Sequence, residues 1–528
     1  MNRRNFVKTM AGSVAIASLP RYLFQSTDAM AEETYNLLDK PSFQNLADQA
    51  LSEAKKAGAS YADIRVCRYQ HESINTREEK VKSISNSKSF GFGVRVLLNG
   101  AWGFAASNAI HPSEIARIVK EAIEIAKANQ QIQKNKTNLE KLLAHNAEWI
   151  MPMKIDPFEV SLDKKIQKLL GINAEAKKGG AQFCESSMDF VKEEKYFAST
   201  YGSYLHQIRV RSSPGFRVTI TDKKTGRFEN CDSLAAPRGS GYEYIEGYDF
   251  LTEAAKTTEE AKIKLTAKPV APGKKDLVIH PTNLWLTIHE TIGHATELDR
   301  ALGYEANFAG TSFVSIDKLG TFKYGSKHIS IVGDRTQEGG LATIGYDDDG
   351  VQTHGAEFDI IEKGVFQNYQ MAIGQAEWIG RKHSNGCAYA SDWDRFPIQR
   401  MPNISLQPAE KDIKVEELID GVKDGIYIVG DGSWSIDQQR YNFQFGGQVF
   451  YEIKNGKLGN MLRDVAYQGR TPDFWNACDG ICGKGEYFLG GSFSCGKGQP
   501  MQSAPVSHGC VPARFRNIQV LNTNRSDL

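Results

Sequence analysis

Apolar residues recur at helical spacing between Ser42 and Ala57, through Leu46, Ala50, Leu51 and Ala54, and the run stops at Gly58, which predicts an amphipathic helix. Ala62, Ile64 and Val66 then alternate with polar residues as a strand does. Val94 to Leu98 and Trp102 to Ala105 flank Asn99-Gly100, the dipeptide that closes tight hairpins because both of its residues tolerate a left-handed backbone. A second amphipathic helix is predicted from Pro112 to Asn129, with Ile115, Ile118, Val119, Ala122 and Ile125 on its apolar stripe. After a polar crossing from Gln130 to Lys141, the pattern predicts helix from Asp163 to Lys178, strands between Gln182 and Thr221, and helix from Leu251 to Leu265. Pro269, Pro272 and Gly273 mark a boundary. Beyond them Leu277, Val278 and Ile279 make a short strand, and Pro281 sits where a helix would start. Past Arg300 the texture changes: turn pairs recur at Lys363-Gly364, Asp424-Gly425 and Asn455-Gly456, beside alternating segments such as Val449, Tyr451 and Ile453. The aromatic run Trp434, Tyr441, Phe443 and Phe445 is expected in a sheet core. Helices and strands mix without a βαβ rhythm. The expected fold class is therefore α+β, with an N-terminal mixed α/β domain over residues 36–266 followed by a β-rich C-terminal domain over residues 270–528.

Composition narrows the function classes. Across 528 residues the net charge is +1 with 24% charged residues, so no basic field argues for nucleic acid. Residues 1–31 read as a targeting segment. Asn2-Arg3-Arg4-Asn5-Phe6-Val7-Lys8 is a charged start with paired arginines, an apolar run follows from Met10 to Leu19, and Ala29-Met30-Ala31 offers a cleavage site. That run is too short to span a bilayer, so no stable membrane insertion is expected. The arrangement resembles a twin-arginine export signal, with Asn2 where that pattern often has Ser or Thr. It implies a periplasmic protein beginning near Glu32, folded before export among reduced thiols, so that several of the eight cysteines stay free.

The chemistry gathers on the helix after Pro281, which carries His289, Glu290 and His294. Two imidazoles and a carboxylate suit a metal hydrolase: neutral ring nitrogens bind the ion, and the carboxylate takes a proton from a water the ion activates. In the familiar H-E-x-x-H pattern the histidines stand at i and i+4, roughly 40° apart on a helix of about 3.6 residues per turn. Here they stand at i and i+5, roughly 140° apart on a regular α-helix, and could not share an ion. A π-bulge or a break at Gly293 would realign them, so a distortion is predicted between Glu290 and His294. Glu297, three residues after His294, competes as a third ligand with Glu305 further on; the role expected of Glu297 is to orient a ring. The tetrapeptide C-G-K-G occurs at both Cys482 and Cys495, and spacing does not choose between them. Cys478 and Cys482 form a C-x-x-x-C pair open to a second metal or a disulfide. The phosphate-loop-like run Gly491 to Gly498 has Gly498 where magnesium chemistry wants Ser or Thr, which discounts nucleotide binding. His508 and Arg440 are candidates by chemistry alone for an oxyanion donor, with a structural role expected of each.

The run L-W-L-T-I-H-E-T-I-G-H-A-T-E-L-D-R (Leu284 to Arg300) resembles the TldD half of the TldD/PmbA family of metallopeptidases. The likeness extends to Tyr61–Val66 and Ser89–Ala105 near the start. It continues through Arg400–Leu406, Asp431–Gly446 and Cys495–Pro500 towards the end. The resemblance implies His289, His294 and Cys495 as metal ligands and Glu290 as catalytic base on a metal-binding helix within the β-rich domain. It selects Cys495 over Cys482 because Gln499-Pro500 follows it. It further implies small or unfolded peptides as substrates, and a chamber formed by two related subunits, either a homodimer or a heterodimer with a PmbA-type paralogue. One divalent metal ion is expected. The donors suit zinc, with iron and cobalt open. The reading is a metallopeptidase. A catalytically silent peptide-binding or assembly subunit, and a metal-dependent esterase or amidase, stand as the alternatives.

Overall fold

The structure, a computed structural model, describes residues 40–524; the expected export segment and mature start lie outside the described residues. Two sheets organise the chain, and the fold is mixed α+β. The first has seven strands: β1 (Tyr61–Arg77), β2 (Lys80–Leu98), β3 (Ala101–Ser107), β4 (Asn146–Ile150), β5 (Phe183–Ser199), β6 (Tyr204–Thr221) and β7 (Phe228–Asp232). They are ordered β3-β2-β1-β5-β6-β4, with β7 on β6. Asn99 and Gly100 join β2 to β3 with φ of 51° and 84°, the left-handed pair expected of Asn-Gly. Four helices pack on this sheet: α1 (Lys40–Lys56), α2 (Pro112–Gln130), α3 (Leu162–Lys178) and α4 (Phe250–Thr266). Helix α2 lies close on β3, where a Cβ at Gly103 would come within 1.9 Å of the Ala122 carbonyl oxygen. Its buried stripe is Ile115, Ile118, Val119, Ala122, Ile123 and Ala126, so Ile125, expected on that stripe, instead faces out at 37% exposure.

The second sheet has ten strands drawn from residues 268–522. Two come early, β8 (Lys268–Pro269) and β9 (Gly273–Ile279). Strand β9 lies inside the sheet, parallel to Asp424–Val429 on one side and antiparallel to Ala513–Asn522 on the other. Lys363-Gly364 and Asn455-Gly456 close hairpins as expected, with Lys363 and Asn455 at φ 45° and 48°. Asp424-Gly425 departs from expectation: it opens a strand, because Gly425 lies against the β9 backbone where a side chain would strike the Asp276 carbonyl. Phe443 and Phe445 enter the sheet core and Tyr441 is half-buried. Trp434, which begins the outermost strand of the sheet, is 55% exposed and is not core.

The first sheet is tied through charge to the loop that carries Asp348 and Asp349. Arg95 on β2 bonds Asp63 at 2.6 Å and Asp349 at 2.8 Å, and Lys195 on β5 bonds Asp348 at 2.8 Å, all buried. Ions so buried need each other, since leaving either unpaired out of water costs several kcal/mol, on the order of 3–5. Among the described residues no helix is long and apolar enough to cross a membrane.

Candidate metal centre

Strand β9 delivers the chain to the site. After Ile279 comes His280, whose Nδ1 accepts from the Thr282 amide, and Pro281 at the first position starts helix α5 (Pro281–Ile288). Leu284, Ile288 and Ile292 are fully buried in the core beneath the sheet, each side chain contributing about 1.5–3 kcal/mol. Polar residues of the same helix tie it to the sheet. Asn283 donates to the carbonyls of Gly430 and Gly446 at 2.9 and 2.8 Å, and the Tyr467 hydroxyl donates to Asn283 Oδ1 at 2.8 Å.

From His289 to Gly293 the helix widens into a π turn, and the His294 amide bonds back to the His289 carbonyl. This is the distortion that the i, i+5 spacing requires. The two rings now meet edge to face, centroids 4.7 Å apart. Gly293 packs close to Met401: a Cβ there would stand 2.9 Å from Met401 Sδ. A single 3₁₀ turn, His294–Thr296, ends the widened segment.

Cys495 arrives on a separate two-stranded hairpin, Phe488–Lys497 paired with Gln502–Cys510, whose register slips between Ser492 and Cys495. Such a bulge re-aims the side chains beyond it. Cys495 Sγ lies 3.7 Å from His294 Nε2, and one ligand atom from each of His289, His294 and Cys495 falls within 4.8 Å of the others. A tetrahedral zinc with bonds of about 2.0–2.3 Å separates its donors by about 3.3–3.6 Å, so small side-chain movements bring the three atoms onto one ion. All three residues are buried. Cys482, the other C-G-K-G cysteine, packs instead between Ala409 and Pro512 and is absent from the cluster. The eight cysteines are buried and free of disulfides, Cys478 and Cys482 included.

Each ring's outer nitrogen is engaged, which fixes which nitrogen would face an ion. The Ile404 carbonyl can only accept, so the proton of His508 sits on Nδ1, 3.0 Å away. Burial and the neighbouring His289 hold His508 far below its ordinary pKa, hence neutral, and its Nε2 accepts from His289 Nδ1 at 2.7 Å. His289 Nε2 is left with its lone pair free. His294 Nδ1 likewise donates to Glu297 Oε2 at 3.2 Å, leaving Nε2 towards Cys495. Burial also lowers the pKa of both rings, favouring the neutral, ligating form. Burial alone would raise the Cys495 thiol, but Arg400 and His294 outweigh it and bring the thiol below its ordinary pKa. The residues present thus fit a divalent ion: two lone pairs and a favoured thiolate converge among buried side chains.

Glu297 takes the orienting place expected of it, within a buried network. Arg300 Nε donates to its Oε2 at 3.0 Å, Lys497 stands 3.4 Å from its Oε1, and Lys497 also reaches Asp299 and Glu305 at 2.8 and 3.3 Å. Burial works against the Glu297 anion, yet Lys497, His294 and Arg300 hold its carboxyl well below the usual range. Glu305, buried beside that charge, is pushed up to about 7. Glu305 therefore serves the network and is not among the clustered donors. Glu290 is 3% exposed, and its Oε2 accepts from Arg440 Nη1 at 2.6 Å.

His508 and Arg440, for which a general structural role was expected, both touch the site's own side chains. The sequence held little to announce either: each is a lone polar residue far along the chain. Trp285 stacks over His508, centroids 6.3 Å apart, and presses on Gly490, where a Cβ would lie 2.5 Å from the indole. Replacing His508 by Phe keeps a flat ring under Trp285 but removes the acceptor for His289. Metal affinity, measured by competition with a chelator, should then fall about 10–100-fold, with Gln at 508 recovering part of the loss through its amide oxygen. Equal affinity in the Phe variant would contradict the relay.

The chain is similar along most of its length to known proteins. Residues 62–126, 155–266 and 272–521 match respectively domain 1, the central domain and the C-terminal domain of the PmbA/TldA metallopeptidases. A metalloprotease of Methanocaldococcus jannaschii is 29% identical over 457 residues, covering 85% of this chain and 95% of that one. A protein named zinc metalloprotease TldD homolog, from Saccharolobus solfataricus, is 23% identical over 480 residues, covering 89% and 98%. Among solved structures, a Thermotoga maritima chain superposes with a TM-score of 0.71 at 16% identity, covering 91% of this chain and 100% of that one. TldE from Thermococcus kodakarensis superposes with 0.68 at 15%, covering 91% and 99%.

Proposed function

The chain belongs to the TldD/PmbA family of metallopeptidases, and from that membership we propose that it is a motif-bearing peptidase that hydrolyses small or unfolded peptides. The observation that carries the proposal is the convergence of His289, His294 and Cys495 beside Glu290 on a helix widened where the spacing requires it. Zinc suits this donor set, and a relative named a zinc metalloprotease supports it. A divalent ion held there supplies Lewis acidity to a water molecule and to the peptide carbonyl. Glu290 is the general base: with Oε2 held by Arg440, its Oε1 takes the proton of the attacking water and later returns it to the departing amine. Glu297 and His508 hold the two imidazoles in the ligating tautomer.

Relation to a TldE fold supports assembly with a second, related subunit, either a copy of this chain or a PmbA-type partner. The paired arginines near the start support export of the folded chain to the periplasm. Zinc-loaded protein should cleave alkylated, unfolded casein, lose that activity on chelation, and regain it when zinc is restored. Peptide bound without cleavage would favour the silent-subunit reading, and turnover of aryl esters alone would favour an esterase.

A further inference from the structure

Resting on the peptidase reading, we propose that Arg440 is a further catalytic residue: the donor that binds the substrate's carbonyl oxygen as it becomes an oxyanion. Arg440 sits in the loop between two strands, Trp434–Ile436 and Asn442–Phe445, at φ 64°, a left-handed backbone that a bulky residue adopts at a cost of about 1–3 kcal/mol. The loop holds it there. Asp437 Oδ1 accepts from the amides of Gln439 and Tyr441 at 3.1 and 2.8 Å, and Oδ2 from the Asn442 amide at 2.9 Å. The Thr471 hydroxyl donates to the Arg440 carbonyl at 2.7 Å. A strained backbone held by Asp437 and Thr471 aims one side chain, and that side chain ends on Glu290.

Its guanidinium is underused. Glu290 is its single carboxylate partner among the described residues, through Nη1 alone, and its Nε is buried with no partner. The contrast is Arg300, whose Nε, Nη1 and Nη2 all find acceptors. Arg440 is 9% exposed. An unpaired donor on a buried cation is expensive unless something else accepts from it, and beside the base that activates water the group that arrives is the scissile carbonyl.

The water oxygen bonds to the carbonyl carbon while its proton passes to Glu290 Oε1. The C=O π pair moves to oxygen, where the unpaired Nε–H of Arg440 meets it. When the pair returns, the C–N bond breaks and the amine nitrogen takes the proton from Glu290. Recognition of a substrate's terminal carboxylate uses the same fork, but contact with Glu290 itself places Arg440 at the reacting bond.

The test uses Arg440→Asn, which tolerates the left-handed backbone, and Arg440→Lys, with a short internally quenched peptide blocked at both ends and a phosphinic dipeptide that mimics the tetrahedral state. The expected result is a fall in kcat of about 10²–10³-fold in the Asn variant, with KM changed less than about threefold. Zinc content stays unchanged, phosphinate affinity by calorimetry falls in parallel, and added guanidinium ion partly restores turnover. Unchanged kcat and phosphinate affinity would overturn the proposal, as would a loss confined to KM for peptides with a free carboxyl terminus. If wild type cleaves nothing, the peptidase reading fails by itself, and the phosphinate comparison between wild type and Arg440→Asn still decides Arg440.

Discussion

Glu290→Gln should stop peptide cleavage while leaving the metal in place. The substitution keeps the side chain's shape and an oxygen that can accept from Arg440 Nη1, so the 2.6 Å contact survives as a hydrogen bond from the charged guanidinium to an uncharged amide oxygen and the loop around Arg440 stays anchored. What disappears is the basic oxygen. Neutral amides do not take protons from water near pH 7, and loss of a positioned general base costs about 10²–10⁴ in kcat. His289, His294 and Cys495 are untouched, so zinc stoichiometry should equal that of wild type. Metal content by mass spectrometry of the native protein, alongside kcat on one peptide, separates the two effects. Equal turnover in variant and wild type would remove Glu290 from the chemistry. Equal peptide binding with no cleavage by either would leave the silent assembly subunit as the better account.

The second large effect distinguishes two identical tetrapeptides. Cys495→Ala should weaken zinc binding by more than about 10²-fold, beyond the usual loss from a supporting residue, whereas Cys482→Ala should bind zinc like wild type. The reason is local. Cys495 sits 3.7 Å from His294 with Arg400 and His294 favouring its thiolate, while burial pushes the Cys482 thiol up to about 12. Cys482→Ala removes a fully buried side chain and should appear as a modest loss of thermal stability instead. The reverse pattern, with zinc lost on changing Cys482, would place the third ligand elsewhere.

Much of this site is legible in the chain because its constraints are local. Five-residue spacing between two histidines is incompatible with a regular helix, so the π turn at His289–Gly293 follows from geometry once both rings are asked to meet. Glu297, three residues after His294, falls on the same side, and it does accept from that ring. The remote partners are another matter. Spacing does not bring Cys495 to the helix, nor does it reveal that its hairpin also carries His508, because the pairing of those strands and the bulge that turns Cys495 are set by tertiary packing. Arg440 looks like any charged residue in a polar turn, and its left-handed backbone is invisible to composition. Lys497 lies two residues after Cys495, a spacing that says nothing of its partners, and in the fold its single charge is shared among Glu297, Asp299 and Glu305. The misjudged positions in the fold have simple causes. Ala126 completes the stripe of α2 and rotates Ile125 outward, Trp434 starts an edge strand, and Gly425 is a glycine for close strand approach, with no turn to make.

X-ray absorption at the zinc edge of the reconstituted protein tests the central claim most directly. The account predicts one sulfur neighbour at about 2.3 Å and two imidazole nitrogens at about 2.0–2.1 Å, with the sulfur lost in Cys495→Ala and kept in Cys482→Ala. A shell of oxygen and nitrogen without sulfur, or one in which the sulfur persists after Cys495 is replaced, would contradict it.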